Sequence, residues 1–388
     1  MTEMGDSRPR IAHLVNNVTP TSIPMELAAR MDDSRFDVLV ICFYRQPPDR
    51  QPVMEEIEVV ELDGRSRLDV TAYRRLYRVL RERRVDVLHT HSNFVGSVGR
   101  IIGRLAAVPV IVNTEHTVHD RGLSLIQNLV NAPTLALADG NVFVGRNVLD
   151  SLAAWERAFA RRTLSLVIRN GVDCCAIDSR KTDEAEIRRR FVLEESQFVV
   201  GNVGRLIPAK NQLQLIQAFA ELVEVDHRAK LIIVGGGKLR DRLEREAQRF
   251  GLTESVVLTG LVERQTVYDI LRVVDLFVMP SLWEGIPVAL LEAMALAKPV
   301  VASDIPAFRE VLAGSRAGVL VPRGGVDALA RAMISFWEDR TRAEERGLEA
   351  RRLVEERFSL VHTVRSYEAL YAELMSQRDE KSVMADVR

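Results

Sequence analysis

The chain has 388 residues, of which 47% are hydrophobic and 28% are charged, and its formal net charge is −1 at pH 7. This length favours two domains, and this composition excludes a disordered or fibrous chain. The near-zero net charge gives no indication of nucleic acid binding. No apolar run reaches the ~18–20 residues that a membrane-spanning helix needs.

Short β-rich runs alternate with helical periods along the chain, which is typical of parallel α/β architecture. The runs of the first section predict strands at 10–15, 36–44, 85–91, 109–116 and 140–145. Those of the second section predict strands at 198–204, 230–236, 256–260, 276–280, 299–303 and 318–322. Helices are predicted between them, for example at 211–225 and 239–250, where apolar residues recur at intervals of three and four.

The boundary between the two sections is predicted close to Ser179, where an Asn-Gly turn is followed by a charged run. The expected domains are therefore 1–178 and 179–359. A last helix, at about 360–377, is compatible with packing back on the first domain.

The segment 73–84 places Leu76, Val79 and Leu80 on one helical face and surrounds them with arginines. A peripheral membrane contact produces this pattern, and so does a helix that covers a sheet. Both interpretations stay open. Three cysteines are too few for a disulfide framework and favour a reducing cytoplasm, and the first residues do not resemble a secretion signal.

Two cations follow the predicted strand 198–204. Arg205 and Lys210 lie in a loop that leads into a helix near Asn211, and cations beside helix-terminal amides suit a diphosphate. The glycine run 234–237 ends another strand, where it either allows a ligand close to the backbone or simply forms a tight turn. It does not match the dinucleotide fingerprint G-x-G-x-x-G.

Two glutamates lie in the apolar text SLWEGIPVALLEAMALAKPV. Pro287 suits the first turn of a helix, which puts Glu284 in the preceding loop and Glu292 in the second turn, on an otherwise apolar face. A buried carboxylate needs a polar partner, and sugar or ribose hydroxyls are candidates. The same pattern would result if Glu292 were simply an exposed residue of the helix and Glu284 an ordinary loop residue.

Three segments occur in one order: GRLIPAKNQ, VGGG and DLFVMPSLWEGIPVALLEAMA. They resemble the nucleotide-sugar half of family-4 retaining glycosyltransferases of the GT-B fold, in which Glu284 and Glu292 form the E-x7-E signature. Segments 89–116 and 168–173 are similar to that family's first domain and interdomain turn. The resemblance implies two Rossmann-like, doubly wound parallel-sheet domains facing a central cleft, an acceptor-side domain followed by a nucleotide-sugar-binding domain.

The resemblance also implies roles for particular residues. Arg205 and Lys210 match the cations that neutralise the diphosphate, and Glu292 matches the acid that binds the ribose. Glu284 matches the acid that faces the transferred sugar, and His116 matches the histidine that reaches this sugar near its reacting carbon.

The donor-binding residues implied by the resemblance further include backbone positions. The sugar and phosphate are expected near the amides of Gly285, Ile286 and Val288, the base near Val262, and the donor close to Gly236.

The implied reaction is retaining transfer of a hexosyl or N-acetylhexosaminyl group from a nucleoside-diphosphate sugar, with uridine as the commonest base, to a sugar, lipid-linked or small-molecule hydroxyl. No cofactor and no divalent metal are expected, because the chain has no D-x-D triplet. Synthesis of a cell-surface polysaccharide or glycolipid at the inner membrane face is the implied setting. Metal binding by His89 and His91 is disfavoured, because the sequence suggests no third ligand.

Two departures from the family pattern accompany the resemblance. Loop 16–31 lacks the usual glycine pair, which leaves the acceptor position open, and Gly145 stands where a serine is usual. Two other functions stay open: a nucleotide-sugar 2-epimerase with Glu115 and His116 as acid and base, and a non-catalytic nucleotide-sugar sensor.

Overall fold

The computed structural model describes residues 8–18, 22–46, 57–91, 93–179 and 182–386. The chain divides into two compact units, the first formed by residues 1–169 with 361–388 and the second by residues 170–360. The division falls nine residues before the expected one at 178/179. The reason is that Val172 pairs with the end of the second unit, where its amide donates to the Phe358 carbonyl and its carbonyl accepts from Leu360.

The first unit contains a parallel sheet and the helices that connect its strands. Its strands are β1 (Arg10–Val15), β2 (Asp37–Tyr44), β3 (Glu58–Gly64), β4 (Val87–Thr90), β5 (Val110–Glu115), β6 (Gly140–Phe143) and β7 (Leu164–Val167). Its helices are α1 (Ile23–Arg30), α2 (Val70–Glu82), α3 (Asn93–Leu105), α4 (His119–Gly122), α5 (Leu125–Leu135), α6 (Arg146–Asp150) and α7 (Ala154–Ala160).

The second unit repeats this architecture. Its strands are β8 (Val199–Val203), β9 (Lys230–Val234), β10 (Val256–Gly260), β11 (Leu276–Met279), β12 (Val300–Ser303) and β13 (Gly318–Val321). Its helices are α8 (Cys174–Asp178), α9 (Glu184–Arg190), α10 (Gln212–Val225), α11 (Arg240–Arg249), α12 (Arg264–Val273), α13 (Val288–Ala295), α14 (Pro306–Leu312), α15 (Val326–Glu338) and α16 (Arg340–Arg357). Helix α17 (Leu360–Asp386) then begins, and residues 361 onward belong to the first unit.

Both sheets are doubly wound. The strand order is β3-β2-β1-β4-β5-β6-β7 in the first unit and β10-β9-β8-β11-β12-β13 in the second, and the pairs within each sheet are parallel. Strand order reverses beside β1 and β8, and such switch points open a crevice at the carboxyl ends of the strands. The loops after β1, β4, β8 and β11 therefore lie where a ligand is expected.

Helix α2 packs its apolar face against the first sheet. Leu76 and Leu80 are fully or almost fully buried in the core that also contains Leu14 and Ile41. The interpretation of 73–84 as a helix whose leucines enter a membrane is therefore wrong, and its exposed face carries arginines and Tyr77. Among the described residues, no helix is both long enough and apolar enough to cross a bilayer.

Helix α17 completes the first unit. Tyr367 and Tyr371 are buried, and the Glu368 carboxylate accepts a hydrogen bond from the Asp32 amide at 2.8 Å. A Cβ on Gly140 would lie 3.2 Å from Leu374, so the helix packs tightly against β6. The chain thus returns to its first unit to cover one face of the sheet.

Candidate active site

The cationic loop after β8 has a defined conformation. A short 3-10 turn at Pro208–Lys210 leads to Asn211, whose φ of 53° lies in the left-handed region and lets α10 begin at the next residue. The side chain of Gln212 donates to the Arg205 carbonyl at 3.1 Å. Arg205 is exposed, whereas Lys210 is mostly covered.

The glycine run 234–237 packs against the cationic loop and is hydrogen-bonded to it. The Leu206 amide donates to the Gly236 carbonyl at 2.9 Å, and the Gly204 amide donates to the Val234 carbonyl at 2.9 Å. A Cβ on Gly235, where φ is +139°, would lie 2.0 Å from the Gly204 carbonyl oxygen. Gly235 and Gly237 are thus required by close contact with the protein's own cationic loop, whereas a Cβ on Gly236 would meet the Leu261 side chain. The contact of the donor with Gly236 stays a prediction.

Lys210 meets Glu284 because the loops that contain them follow β8 and β11, which are neighbouring strands of the second sheet. The Lys210 ammonium lies 2.5 Å from Oε1 of Glu284, although the two residues are 74 positions apart. The Leu282 amide donates to the Ala209 carbonyl at 2.8 Å, so backbone also joins the two loops. The side chains of Lys210 and Glu284 are only 16% and 12% exposed, which strengthens their attraction relative to an exposed pair.

The loop before α13 is fixed from its other side by the interdomain turn. The Asn170 side chain donates to the Ile286 carbonyl at 3.1 Å. The Ile286 side chain is buried, so this residue can offer a ligand only its backbone. Pro287 is the N-cap of α13, one position earlier than the first-turn placement expected from the sequence.

Glu292 is buried in the second turn of α13, as expected, and polar side chains meet it. It is 7% exposed, and its Oε1 accepts hydrogen bonds from Arg264 and from the Tyr268 hydroxyl, both at 3.1 Å. Burial, and next the charge of Glu292, raises the pKa of Tyr268, so its hydroxyl keeps the proton that it donates. The exposed-glutamate interpretation is wrong for Glu292.

Sequence reasoning missed Arg264 and Tyr268. They are four residues apart on α12, on one helical face, and the Arg264 guanidinium lies over the Tyr268 ring at 5.4 Å from its centroid. Their spacing could have been noticed, but it does not show which carboxylate they face. Val262, which precedes α12, packs its side chain against the neighbouring apolar cluster and leaves its backbone for contact.

The first unit carries a histidine cluster at the switch point of its sheet. His116 follows β5, and its Nε2 lies 3.2 Å from Nδ1 of His91. Nε2 of His91 in turn lies 2.9 Å from Nδ1 of His13. Burial lowers the pKa of His116 to about 4 and that of His13 to about 3, so both rings are neutral at pH 7.

The structure supplies the third histidine that the sequence did not suggest, because nitrogens of His13, His89 and His91 lie within 4.8 Å of one another. Both ring nitrogens of His89 are nevertheless occupied, by Tyr371 at 2.6 Å and by Thr114 at 2.7 Å. Both ring nitrogens of His91 are occupied as well, by His13 and His116. The cluster therefore fits a hydrogen-bonded group better than a metal site.

Glu115 lies beneath His116 in a buried charged network. Burial raises the pKa of Glu115, but hydrogen bonds from His119 and Asn131 and the charge of Arg100 outweigh it and hold this pKa well below its usual range. His119 bridges Glu115 and Glu156, at 3.2 and 3.3 Å. Because the Glu115 carboxylate already has these partners, the structure gives it a supporting role rather than that of a free base.

Comparison with known proteins identifies the family. The model of glycosyl transferases group 1 matches residues 183–353, and that of the glycosyl transferase 4-like domain matches residues 20–203. An Escherichia coli protein, UDP-Gal:alpha-D-GlcNAc-diphosphoundecaprenol alpha-1,3-galactosyltransferase, is 30% identical over 277 residues, which are 68% of this chain and 70% of that protein. The chain belongs to the group 1 glycosyltransferases.

Other comparisons agree with this glycosyltransferase family. The phosphatidyl-myo-inositol mannosyltransferase of Mycolicibacterium smegmatis is 30% identical over 280 residues, 71% of this chain and 68% of that protein. The crystal structure of HepE from Anabaena in complex with UDP-glucose superposes with a TM-score of 0.80 and 22% identity, covering 95% of this chain and 99% of that one. The expected GT-B fold is confirmed, and the epimerase and sensor alternatives give way to a transferase.

The first loop of this glycosyltransferase is only partly described. Thr19 and Pro20 lie outside the described residues. Glu26 lies on α1, where it is 5% exposed and forms an ion pair with Arg30. Gly145 is the N-cap of α6 and has an extended backbone, so no backbone conformation demands glycine there.

Proposed function

We propose that this glycosyltransferase moves a sugar from a UDP-sugar to an acceptor hydroxyl with retention of configuration. The observation that carries the proposal is the Lys210–Glu284 pair, which places a cation and an acid at neighbouring loop ends beside the switch point of the second sheet. The crystal structure of HepE contains UDP-glucose, and the name of the E. coli relative specifies a UDP-sugar, which supports uridine as the base.

Arg205 and Lys210 are proposed to bind the diphosphate. Arg205 is exposed on the rim of the loop, and Lys210 is held at its base by Glu284. When a sugar–phosphate bond breaks, negative charge accumulates on the departing diphosphate, and preorganised cations stabilise it. The same two cations are proposed to make a divalent metal dispensable, so activity should persist in EDTA.

The two glutamates are proposed to bind hydroxyl groups at opposite ends of the donor. Glu284 would face the transferred sugar, with the amides of Gly285 and Val288 nearby, and Glu292 would accept from the ribose. Arg264 and Tyr268 orient the Glu292 carboxylate through hydrogen bonds to Oε1. The proposed reaction passes through an oxocarbenium-like state, with the acceptor oxygen attacking on the face from which the diphosphate leaves. His116 is proposed to contact the sugar near its reacting carbon.

A lipid-linked acceptor is proposed because of an unusual helix in the first unit. Helix α5 buries Asn131 and Thr134, whereas Leu125, Ile126 and Leu129 are 71%, 69% and 55% exposed. The neighbouring α3 also exposes Ile101 and Leu105, and we call the exposed apolar residues of these two helices the α3–α5 apolar surface.

The arginines beside the α3–α5 apolar surface indicate which partner covers it. Helix α2 packs next to α3 and exposes arginines along its outer face. An apolar surface flanked by arginines complements a bilayer that contains anionic lipids. Both sequence relatives have names that specify lipid acceptors, a diphosphoundecaprenol and a phosphatidylinositol. We therefore move the proposed membrane contact from the leucines of 73–84 to this surface, and place the enzyme in cell-surface polysaccharide or glycolipid synthesis.

The catalytic proposal is tested by incubating the purified protein with UDP-, GDP- and ADP-sugars and a panel of polyprenyl-diphosphate and glycolipid acceptors. We expect release of UDP that depends on the acceptor. We also expect NMR to show an axial anomer in the product when the donor is axial. Turnover with a GDP-sugar alone would refute the choice of uridine, and an inverted anomer would refute retention.

The membrane proposal is tested by sedimentation with vesicles that contain or lack phosphatidylglycerol. Binding should require the anionic lipid and should be lost in Ile126→Glu. The control is Leu348→Glu, which changes a leucine that is 58% exposed on α16 of the second unit and should leave binding intact. A change in oligomeric state in Ile126→Glu, with no vesicle binding by the wild type, would assign the surface to a second copy of the chain instead.

A further inference from the structure

Three histidines form a continuous chain of hydrogen bonds that ends at His116. They come from three adjacent strands, His13 from β1, His91 from the end of β4, and His116 from the end of β5. The two contacts join Nδ1 of His13 to Nε2 of His91, at 2.9 Å, and Nδ1 of His91 to Nε2 of His116, at 3.2 Å. We call this group the histidine chain.

The chain has only two neutral proton arrangements. A neutral imidazole has one N–H donor and one acceptor nitrogen, so each contact needs a proton on one side and a lone pair on the other. Once the proton of His13 is placed, the protons of His91 and His116 follow. Burial lowers the pKa of His91 well below 6.5, as it does those of the other two rings, so charged forms do not add further arrangements.

The far end of the chain discriminates between the two arrangements. Nε2 of His13 is buried and has no hydrogen-bond partner among the described residues. If His13 is protonated on Nδ1, this nitrogen is an unpaired acceptor; in the other arrangement it is an unpaired N–H. Buried N–H groups without a partner are rare, and unpaired acceptors are less so. The first arrangement is therefore favoured, with protons pointing from His13 towards His116.

The geometry points to His13 and His91 as positioning residues that hold His116 in the tautomer with its proton on Nδ1. His91 donates to Nε2 of His116, so Nδ1–H is the group that His116 can offer to a substrate. His116 would then donate to a hydroxyl or phosphate oxygen and could not accept a proton at Nδ1. This inference deepens the proposed function, because it rests on the contact of His116 with the donor sugar.

His89 keeps the middle of the chain in place. Its ring contacts that of His91 with centroids 3.8 Å apart and a tilt of 40°, and its own nitrogens are hydrogen-bonded to Thr114 and Tyr371. Because Tyr371 is buried on α17, the C-terminal helix helps to fix the rotation of the His91 ring. A ring that cannot rotate keeps its two nitrogens facing His13 and His116, so both contacts of the histidine chain persist.

The experiment is long-range ¹H–¹⁵N NMR of protein labelled with ¹⁵N-histidine, which distinguishes the two neutral tautomers of each ring. The His116 signals are assigned with His116→Gln. In the wild type we expect His116 to be protonated on Nδ1 alone. In His13→Phe the direction of the chain is no longer set, and we expect a mixture of His116 tautomers. The control, His362→Phe, removes an exposed histidine of α17 and should leave His116 protonated on Nδ1 alone, as in the wild type.

A third variant separates positioning from folding. In His13→Asn the amide nitrogen takes the place of Nδ1 and can again donate to His91, so the Nδ1–H tautomer of His116 should return, and kcat/KM with it. His13→Phe should reduce kcat/KM about tenfold, the equivalent of one ordinary hydrogen bond.

Three results would overturn the inference: a wild-type His116 protonated on Nε2, a charged His116 at pH 7, or a bound transition metal found by elemental analysis of the purified protein. The NMR measurement needs no substrate, so its outcome is independent of the donor panel. An expected tautomer together with an inactive panel would refute the proposed function and leave the positioning of His116 intact.

Discussion

Gly235→Ala tests whether the glycine run serves the cationic loop or the ligand. The Cβ of an alanine would lie 2.0 Å from the Gly204 carbonyl oxygen, whereas ordinary contact begins at 3.4 Å, so the carbonyl must move by roughly 1.4 Å. That carbonyl belongs to the peptide that precedes Arg205. The substitution should therefore damage both stability and the placement of this cation.

The expected size follows from two contributions. A φ of +139° is open almost solely to glycine and strains alanine by ~1–3 kcal/mol, and the forced backbone shift adds ~1–3 kcal/mol, for a total of about 2–6 kcal/mol. Restriction of the unfolded chain offsets ~0.4–1 kcal/mol of this loss. A displacement of about 1 Å at a binding group lowers kcat/KM by about 10²-fold.

Gly251→Ala is the matched control. Its φ of +68° also disfavours alanine, but nothing lies within 4 Å of the added Cβ, so its net effect is ~0–1.5 kcal/mol. Urea denaturation and kcat/KM with the donor identified by the panel are measured for both variants. Equal behaviour of the two variants in both measurements would refute the reasoning. A Gly235→Ala variant that is stable but inactive would indicate that the glycines contact the ligand directly.

Three further predictions concern individual side chains. Lys210→Ala should lower kcat by about 10²–10³-fold through lost stabilisation of the diphosphate, and normal kcat would disprove the assignment. Its urea midpoint should also fall, because the mostly covered Glu284 loses its ammonium partner, so kcat is measured under conditions in which the variant is folded. Tyr268→Phe removes one hydrogen bond to Glu292 and should lower the free energy of unfolding by ~1–2 kcal/mol and weaken nucleotide binding in calorimetry, so the idea fails if both are unchanged. Burial lowers the pKa of His119, but Glu115 outweighs it and the net pKa is raised; the resulting stabilisation is complete below pH ~6.5 and is lost as pH rises through the raised value. In His119→Gln the free energy of unfolding, measured by urea denaturation at several pH values, should no longer fall in this pH range. The same pH dependence in the variant and the wild type would contradict the prediction.

The strands predicted from sequence included the central ones of both sheets. Strands buried on both faces read as continuous apolar runs, which is why β8 and β11 were recognised. Edge strands β3 and β7 were missed because most of their residues are exposed or half-buried, so their sequences resemble those of loops. The leucines of α2 were open to two interpretations, because an amphipathic pattern does not say which apolar medium covers it.

The candidate site was predictable to the extent that its residues lie in one stretch of sequence. Arg205, Lys210, Glu284 and Glu292 stand at strand ends or helix starts, and local pattern and family resemblance marked them. The partners Arg264 and Tyr268 were not predicted, because their carboxylate lies on another helix and its position depends on how α12 and α13 pack.

The sequence by itself determined the family, the parallel α/β architecture and the residues that bear charge at the loop ends, since these follow from local periodicity and contiguous motifs. Only the tertiary structure decided that Lys210 pairs with Glu284, that the glycines support a neighbouring loop, and that three strands align His13, His91 and His116. The physical reason is that such contacts join residues far apart in the chain, and their distances are set by sheet register and helix packing, which no local segment specifies.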